Sequence, residues 1–179
     1  VAAKPADLDG DVDALRRTLD AFVEVHEAGQ ARHIGVSNFS PKLLDQTVAH
    51  LPDEAPLFAH QAEYHPFLSQ EAVLQHAREH GYLFTAYRPL ARGAVLQDER
   101  LQAIANRHGK SAAQVTVRWL IQQPNVAAIP KAASAAHRVS NLDVFDFALS
   151  DDEMTAIHSL ARGERQIDPA FAPDWTAGA

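Results

Sequence analysis

Four short apolar segments alternate with longer amphipathic segments along the chain, and this alternation restricts the fold more than any other feature. The apolar segments cover residues 33–36, 57–63, 83–87 and 126–129. Each is followed by a stretch whose apolar residues recur at helical spacing. Strands separated by helices at roughly 25 to 40 residue intervals pair in parallel, with right-handed connections. The sequence therefore predicts an α/β fold built from parallel βα units.

Amphipathic stripes and capping residues mark the predicted helices. The first covers residues 11–28 and is stopped by a glycine. Two capping boxes, Ser111 with Gln114 and Ser150 with Glu153, begin later helices. Further helices are predicted from Ser40, over residues 69–81, over about 98–108 and from about 135.

Four strands leave the architecture open. The chain has 179 residues, whereas a closed (β/α)8 barrel usually needs about 250. From the pattern alone, the chain is either half of such a barrel or a small open sheet complete in itself. Both alternatives place a ligand site at the carboxyl ends of the strands. The polar residues at those ends are Ser37, Asn38, Gln61, Glu63, His65, Tyr87 and Lys131.

The end of the fourth strand has features of an anion site. Residues 126–141 form an apolar strand, a turn at Ser134 and the start of a helix, whose first N–H groups lack intrahelical partners. Lys131 adds a positive charge, and His137 and Arg138 lie about one turn inside the helix. An ordinary strand-turn-helix with a solvated Lys131 is the alternative.

Charge and composition narrow the function classes. The formal net charge of -7 argues against a general nucleic-acid or anionic-membrane binder, although a local basic pocket stays possible. The chain has no cysteine, which excludes disulfides and thiolate chemistry. No apolar run approaches the roughly 18 residues of a membrane span, and the first residues lack the layout of a signal peptide. We therefore expect a cytoplasmic protein.

One cluster of metal-ligand side chains falls on the second strand. His60, Glu63 and His65 lie within six residues. On a strand, however, His60 faces the side opposite to the other two. The sequence therefore predicts no metal site here.

Four motifs follow one another along the chain. Residues 29–39 read Gly-Gln-Ala-Arg-His-Ile-Gly-Val-Ser-Asn-Phe, and residues 61–66 read Gln-Ala-Glu-Tyr-His-Pro. Residues 86–90 read Ala-Tyr-Arg-Pro-Leu, and residues 129–131 read Ile-Pro-Lys, with Asn141 downstream. In this order and at this spacing they resemble the motifs of strands five to eight of the aldo-keto reductases. The segment that follows, residues 143–153, is most similar to the bacterial 2,5-diketo-gluconate reductase-like branch.

This resemblance implies a fold and an activity. The implied fold is a parallel (β/α)8 barrel of the TIM type, with only the last four βα units, strands five to eight, present. Residues 1–179 would then be a single domain, the C-terminal half of an aldo-keto reductase barrel. The implied cofactor is NADP(H), bound in an extended form without a Rossmann glycine motif. The implied function is hydride transfer between the nicotinamide and an aldehyde or ketone.

The resemblance also assigns roles at the nicotinamide end of the cofactor. Ser37, Asn38 and Gln61 would hydrogen-bond the carboxamide, which needs both donors and acceptors held rigidly. Tyr87 would stack on the nicotinamide ring. Without the resemblance, Ser37 and Asn38 are more simply a helix-capping turn, and Tyr87 a core aromatic residue.

Other residues are assigned to the phosphate and adenosine end. Lys131 would meet the adenosine 2′-phosphate, and Asn141 the adenine. Arg88 stands where the family typically has a small or hydroxylated residue, near the pyrophosphate, and would either supply charge there or obstruct. Leu90 and His137 complete the cofactor-binding set that the resemblance implies.

Two departures from the family pattern weaken recognition of the 2′-phosphate. Ala132 replaces the small hydroxyl residue that commonly follows the lysine, and His137 replaces the usual arginine. Arg138 is adjacent but points about 100° round the helix. We therefore predict a reduced preference for NADPH and a relaxed use of NAD(H).

No residue of the chain matches the catalytic tyrosine, lysine, aspartate and histidine of the family, so the predicted catalytic set is empty. Tyr64 and Lys4 lie in the wrong motif contexts. A chain that binds cofactor without a tuned proton donor is expected to be inactive alone. The alternative is a non-catalytic, nucleotide-binding regulatory or structural protein.

The expected partners follow from the same resemblance. We expect a small-molecule carbonyl substrate, no nucleic acid and no membrane. Open sheet edges also favour self-association. Only Phe171 and Trp175, in the irregular tail, suggest an apolar wall for a substrate.

Overall fold

A computed structural model describes residue 8, residues 10–169, and residues 172 and 175 of the chain. The predicted alternation of strands and helices is confirmed, with most ends within two or three residues of the predicted ones. The elements are α1 (Val12–Glu27), β1 (Ile34–Ser37), α2 (Pro41–His50), β2 (Leu57–Glu63), α3 (Glu71–His80), β3 (Leu83–Tyr87), a 3-10 segment (Ala91–Gln97), α4 (Glu99–His108), α5 (Ala112–Ile121), β4 (Val126–Ala128), α6 (Ala135–Leu142) and α7 (Asp151–His158).

Helix starts are set by the capping residues that the sequence predicts. Both capping boxes form, with Ser111 and Gln114 at the start of α5 and Ser150 and Glu153 at the start of α7. The side chain of Asp11 accepts a hydrogen bond from the third residue of α1. Each such cap satisfies a backbone donor that the helix cannot satisfy itself, and contributes typically about 1 kcal/mol.

The strands form a four-stranded sheet in the order β1–β2–β3–β4. β1 and β2 pair in parallel, with Gly35 opposite Ala59 and an irregularity just before this pair. A Cβ atom added at Gly35 would lie 3.2 Å from the carbonyl oxygen of Ala59. A side chain at this position would crowd the backbone of β2, so glycine favours the close approach of the two strands here.

The predicted fold class, a (β/α)8 barrel of the TIM type with only its last four βα units, is wrong for this chain. The described residues form one four-stranded sheet whose order follows the sequence. Barrel closure needs a ring of about eight tilted strands with a matching stagger, and four strands in this order do not provide it. The fold class is that of a four-stranded α/β sheet.

The chain divides into two compact units. The first contains Val1–Ala62, Glu71–Phe84 and Ile167–Ala179, and the second contains Glu63–Gln70 and Thr85–Gln166. The core of the first unit includes the fully buried residues Leu19, Leu43, Leu44, His60 and Phe84. The core of the second includes Tyr64, Val115, Trp119, Leu120 and Ile157. The prediction that residues 1–179 form a single domain stays a prediction.

Within the part of the chain that the structure describes, no helix combines the length and the apolar character needed to cross a bilayer.

Candidate functional site

In the first unit, the turn that follows β1 is held on the end of β2. The hydroxyl of Ser37 donates to the carbonyl oxygen of Gln61 at 3.0 Å, and the backbone N–H of Asn38 donates to the same oxygen at 2.9 Å. Asn38 has a φ of +59°, in the left-handed region that asparagine tolerates better than most residues. The structure therefore brings Ser37, Asn38 and Gln61 together at the carboxyl end of the β1–β2 pair.

A buried histidine fixes the next residue of this turn. Nε2 of His60 accepts a hydrogen bond from the backbone N–H of Phe39 at 3.1 Å. Complete burial, and then the charge of His76, lower the pKa of His60 from 6.5 to about 3. Because His60 stays neutral, it keeps an acceptor nitrogen for Phe39. The turn is thus held by Gln61 at Ser37 and Asn38, and by His60 at Phe39.

In the second unit, Tyr87 ends β3 with a half-buried side chain. Burial and then the charge of Glu63 raise the pKa of its hydroxyl, while Arg165 and Arg88 oppose the rise. The hydroxyl therefore stays protonated at neutral pH. The carbonyl oxygen of Tyr87 accepts from the N–H of Tyr64 at 3.3 Å, which fixes the backbone at this strand end.

The loop after β3 and the segment after β4 line an open cavity of about 440 Å³. Arg88, Leu90 and Lys131, three of the sequence-predicted residues, line it together. Arg88 has a φ of +52°, which is unusual for a residue other than glycine. Nη1 of Arg88 is buried and finds no hydrogen-bond partner among the described residues. Arg88 and Lys131 are 43 positions apart in the sequence. The fold brings both side chains to one basic cavity.

Two other predicted residues lie elsewhere. Asn141 lines a separate cavity of about 350 Å³ with Arg138 and Phe145. His137 is exposed in the first turn of α6, where its backbone N–H donates to the hydroxyl of Ser134 at 3.1 Å. Neither residue lines the cavity of Arg88 and Lys131. Their predicted roles at the adenine and the 2′-phosphate stay predictions.

Arg92 is a residue that the sequence reasoning missed. It lines the same cavity as Arg88 and Lys131, on a backbone with a φ of +53°. A second arginine four positions after Arg88, beyond the strand end, was the available signal. Arg92 joins the cavity lining only because the loop folds towards the end of β4.

The acidic and imidazole side chains at the end of β2 form a structural contact. Glu63 and His65 are fully buried, and Oε1 of Glu63 lies 3.0 Å from Nε2 of His65. The same oxygen accepts from the backbone N–H of Gln166 at 2.8 Å, which attaches the C-terminal segment. Among the described residues, no three or more histidine, aspartate or glutamate side chains are grouped as metal ligands.

The C-terminal tail was predicted to supply an apolar wall for a substrate. Nε1 of Trp175 donates to Oδ1 of Asp168 at 3.0 Å. Phe171 and Lys4 lie outside the described residues. The predicted role of Trp175 and Phe171 at a substrate stays a prediction.

Comparison with known proteins decides the family. The sequence model described as the aldo/keto reductase family matches residues 5–162. The chain belongs to the aldo/keto reductase family. It is 40% identical over 150 residues to an aldo-keto reductase of Mycolicibacterium smegmatis, covering 83% of this chain and 53% of that relative. The chain spans about half the length of the curated relatives it matches.

Solved aldo-keto reductases share the fold over most of this chain. A structure assigned as 2,5-diketo-D-gluconic acid reductase B is 42% identical and has a TM-score of 0.87, covering 90% of this chain and 57% of that one. A mutant of Gox0644, in complex with NADPH, is 35% identical with a TM-score of 0.78, covering 86% and 56%. The resemblance to the 2,5-diketo-gluconate reductase-like branch is confirmed. Because the alignment takes in 90% of this chain, its α/β arrangement is an aldo-keto-reductase-like domain with a four-stranded sheet, in place of the predicted barrel class.

Tyr64 illustrates why a tyrosine inside a family motif need not carry the chemistry. Its side chain is 2% exposed, and its hydroxyl donates to Oε1 of Gln123 at 2.9 Å. A hydroxyl in this position cannot reach a substrate carbonyl. The exclusion of Tyr64 from the catalytic set stays a prediction.

Proposed function

We propose that this chain supplies cofactor-binding residues of an NADP(H)-dependent carbonyl reductase, which transfers hydride between the nicotinamide and an aldehyde or ketone. Three observations support the proposal. The chain belongs to the aldo/keto reductase family. A relative of similar fold was solved in complex with NADPH. The observation that carries the proposal is the basic cavity in which Arg88 and Lys131 meet.

The basic cavity fits a phosphate-bearing ligand. The buried Nη1 of Arg88 has no acceptor among the described residues, and an unsatisfied buried donor is unfavourable. Lys131 is exposed at the rim, where a flexible ammonium can meet a phosphate as a point charge. In the proposed assignment Lys131 binds the adenosine 2′-phosphate, and Leu90 contributes apolar wall.

The polar turn of the first unit fits the carboxamide. The hydroxyl proton of Ser37 is used on the carbonyl oxygen of Gln61, so the Ser37 oxygen offers lone pairs to an incoming N–H. The side-chain amide of Gln61 carries both donor and acceptor groups. When bound, the nicotinamide supplies the hydride. The rigid turn would select which face of its ring is presented.

Tyr87 fits the proposed stacking role because its ring stays uncharged. The raised pKa keeps the phenol neutral at physiological pH. The half-buried ring leaves one part of its surface available to a flat heterocycle. We assign it to the nicotinamide ring, as the family resemblance implies.

We also propose that the isolated 179-residue chain does not reduce carbonyls. No side chain matches the family's proton donor, and the hydroxyl of Tyr64 is buried in a hydrogen bond. Cofactor binding without chemistry is the expected behaviour. Steady oxidation of NADPH with an aldehyde substrate by the purified chain would refute this part.

Titration of the purified chain with NADPH tests the proposal. Binding is followed through the fluorescence of Trp119 and Trp175, and saturation at micromolar concentration is expected. Lys131→Ala should weaken NADPH binding by about 10-fold or more, because a charge-assisted phosphate contact is lost. Arg100→Ala, which removes an exposed charge on α4, is the matched control and should leave the affinity unchanged. No saturable binding to the unmodified chain would contradict the proposal.

A further inference from the structure

Helix α6 lies on the second unit without burying any of its side chains. It spans Ala135–Leu142, and none of its eight residues is buried. A helix of this length is marginal by itself in water, because helices in proteins are stabilised mainly by the packing of one face. Its apolar side chains Val139 and Leu142 are 69% and 71% exposed. They are therefore available for packing that the described residues do not supply.

An open groove lies beside these side chains. It has a volume of about 350 Å³ and is lined by Val117 and Ile121 of α5 and by Ala128 of β4. Leu142 and Phe145 form part of the same lining, and Phe145 is 72% exposed. An exposed aromatic ring and an apolar groove thus lie next to each other on one face.

A face of this kind can pair with a copy of itself. In a two-fold dimer every contact occurs twice, so Phe145 of each copy can enter the groove of the other. β4 lines the groove and is the last strand in the sheet order, which leaves one of its edges open. Contiguous exposed apolar surface is uncommon on monomers and usually marks an interaction site.

The charges around the groove favour a second copy over a strongly charged partner. Arg138 lines the groove, and Lys110 contacts the exposed carboxylates of Asp143 and Asp146 at 3.0 Å and 2.7 Å. These two positive and two negative charges balance, whereas the whole chain has a formal net charge of -7. Two copies can therefore meet at this face without the repulsion that the net charge causes elsewhere.

We propose that the chain forms a two-fold dimer in which Phe145 of each copy packs into the groove between α5 and α6 of the other. An interface of standard size buries about 800 Å² on each partner. A buried aromatic side chain contributes about 150 to 250 Å², so Phe145, Leu142, Val139 and the groove supply roughly half of that area. The expected Kd is therefore micromolar rather than nanomolar. The dimer is independent of the proposed cofactor binding.

Sedimentation of the purified chain from micromolar to millimolar concentration tests the dimer. The unmodified chain should convert from monomer to dimer and form no larger species. Phe145→Ser removes the inserted side chain, and Ala128→Leu fills the groove from β4. Each should raise the Kd of the dimer by about 10-fold or more, because an aromatic side chain in a pocket carries much of the binding energy. Phe58→Ser, a change of a 47% exposed side chain on β2, is the matched control and should leave the Kd unchanged.

Mixing the two variants tests the reciprocal contact. A pair of one Phe145→Ser chain and one Ala128→Leu chain retains one intact ring opposite one intact groove. The mixture should therefore form a dimer more tightly than either variant alone, but less tightly than the unmodified chain. Thermal unfolding of each variant shows that it is folded.

Three results would each overturn this inference. The first is an unmodified chain that stays monomeric at millimolar concentration, which would leave the groove to a different protein. The second is a series of species larger than a dimer, which a closed two-fold contact does not produce. The third is a Kd for Phe145→Ser within about 2-fold of that of the unmodified chain.

Discussion

The hydroxyl of Tyr64 donates a hydrogen bond to Oε1 of Gln123 at 2.9 Å, between two side chains that are both buried. The amide of Gln123 in turn donates to the carbonyl oxygen of Trp119 at 3.1 Å. The rings of Tyr64 and Trp119 also pack against each other, with centroids 5.0 Å apart. Tyr64 thus connects the loop after β2 to α5 through a buried hydrogen bond and through ring packing.

Tyr64→Phe should destabilise the chain, because it leaves the buried oxygen of Gln123 without a donor. The expected loss in unfolding free energy is about 1 to 2 kcal/mol. Urea unfolding followed by Trp119 fluorescence measures it. Adding Gln123→Met to Tyr64→Phe removes the stranded acceptor and should recover part of the loss. An unchanged midpoint for Tyr64→Phe would show that the hydrogen bond contributes nothing net.

Glu153 should make the unfolding free energy depend on acid pH. Burial of its carboxyl opposes ionisation, but hydrogen bonds from His108, the Ser150 backbone and Arg107 outweigh it and lower the pKa from 4.5 to about 2. Because the folded pKa lies below the unfolded one, this stability is present above pH 4.5 and is lost as pH falls towards 2.

Glu153→Gln tests this dependence. The variant should be less stable at pH 7, because it loses the ion pair between Glu153 and Arg107. The expected loss is only about 1 kcal/mol, because solvent screens this pair. The difference from the unmodified chain should shrink as the pH falls below 4.5. Unfolding in urea at several pH values measures it, and a difference that is constant down to pH 2 would contradict the assigned pKa.

His60 should also make the free energy of unfolding depend on pH, in a higher pH range than Glu153 does. Its pKa is lowered from 6.5 to about 3, so the unfolded chain takes up a proton below pH 6.5 that the folded chain refuses. The contribution of His60 to the free energy of unfolding is complete above pH 6.5. Below that pH, the free energy of unfolding falls by about 1.4 kcal/mol per pH unit. His76, whose pKa burial also lowers, contributes in the same direction.

The variant His60→Gln keeps an acceptor for the N–H of Phe39 and removes the titrating group. Its unfolding free energy between pH 6 and 4 should have a slope smaller by about one proton. Parallel slopes for the variant and the unmodified chain would rule out His60 as the source.

The affinities for NADPH and NADH should differ by less than about 100-fold, nearly 3 kcal/mol. Ala132 offers no hydroxyl, and His137 is exposed and lines neither the cavity of Lys131 nor that of Asn141. The double variant Ala132→Ser with His137→Arg should increase the preference for NADPH. Ala135→Ser, an exposed change on α6, is the control. A gap above 100-fold in the unmodified chain would refute the relaxed preference.

The chain should self-associate through the surface near β4. Val139, Leu142 and Phe145 are 69%, 71% and 72% exposed, and β4 is the last strand in the sheet order. Exposed apolar side chains beside an edge strand favour pairing with a second copy. Leu142→Ser with Phe145→Ser should shift sedimentation towards the monomer, whereas Phe58→Ser, distant in sequence, should not. A monodisperse monomer of the unmodified chain at high concentration would argue against this surface.

Local sequence signals determined much of the architecture. Serine caps and capping boxes fixed where helices begin, because short side chains satisfy helix N–H groups that have no other partner. The alternation of apolar segments with amphipathic ones fixed the parallel strands. The motif series fixed the family, which the match over residues 5–162 confirms. The four strands were predicted correctly, but the fold class was predicted wrongly, because the resemblance took these strands to be the last half of a barrel, whereas they form one four-stranded sheet.

Tertiary structure decided how the candidate site residues are grouped. The sequence named Arg88, Lys131, His137 and Asn141 as one set, but the fold places Arg88 and Lys131 in one cavity and Asn141 in another. It also adds Arg92 and leaves His137 exposed. Spacing along a chain fixes hydrogen bonds between near neighbours, whereas a cavity depends on how loops from distant strands fold towards each other. That closure is set by packing and backbone conformation, which no single segment encodes.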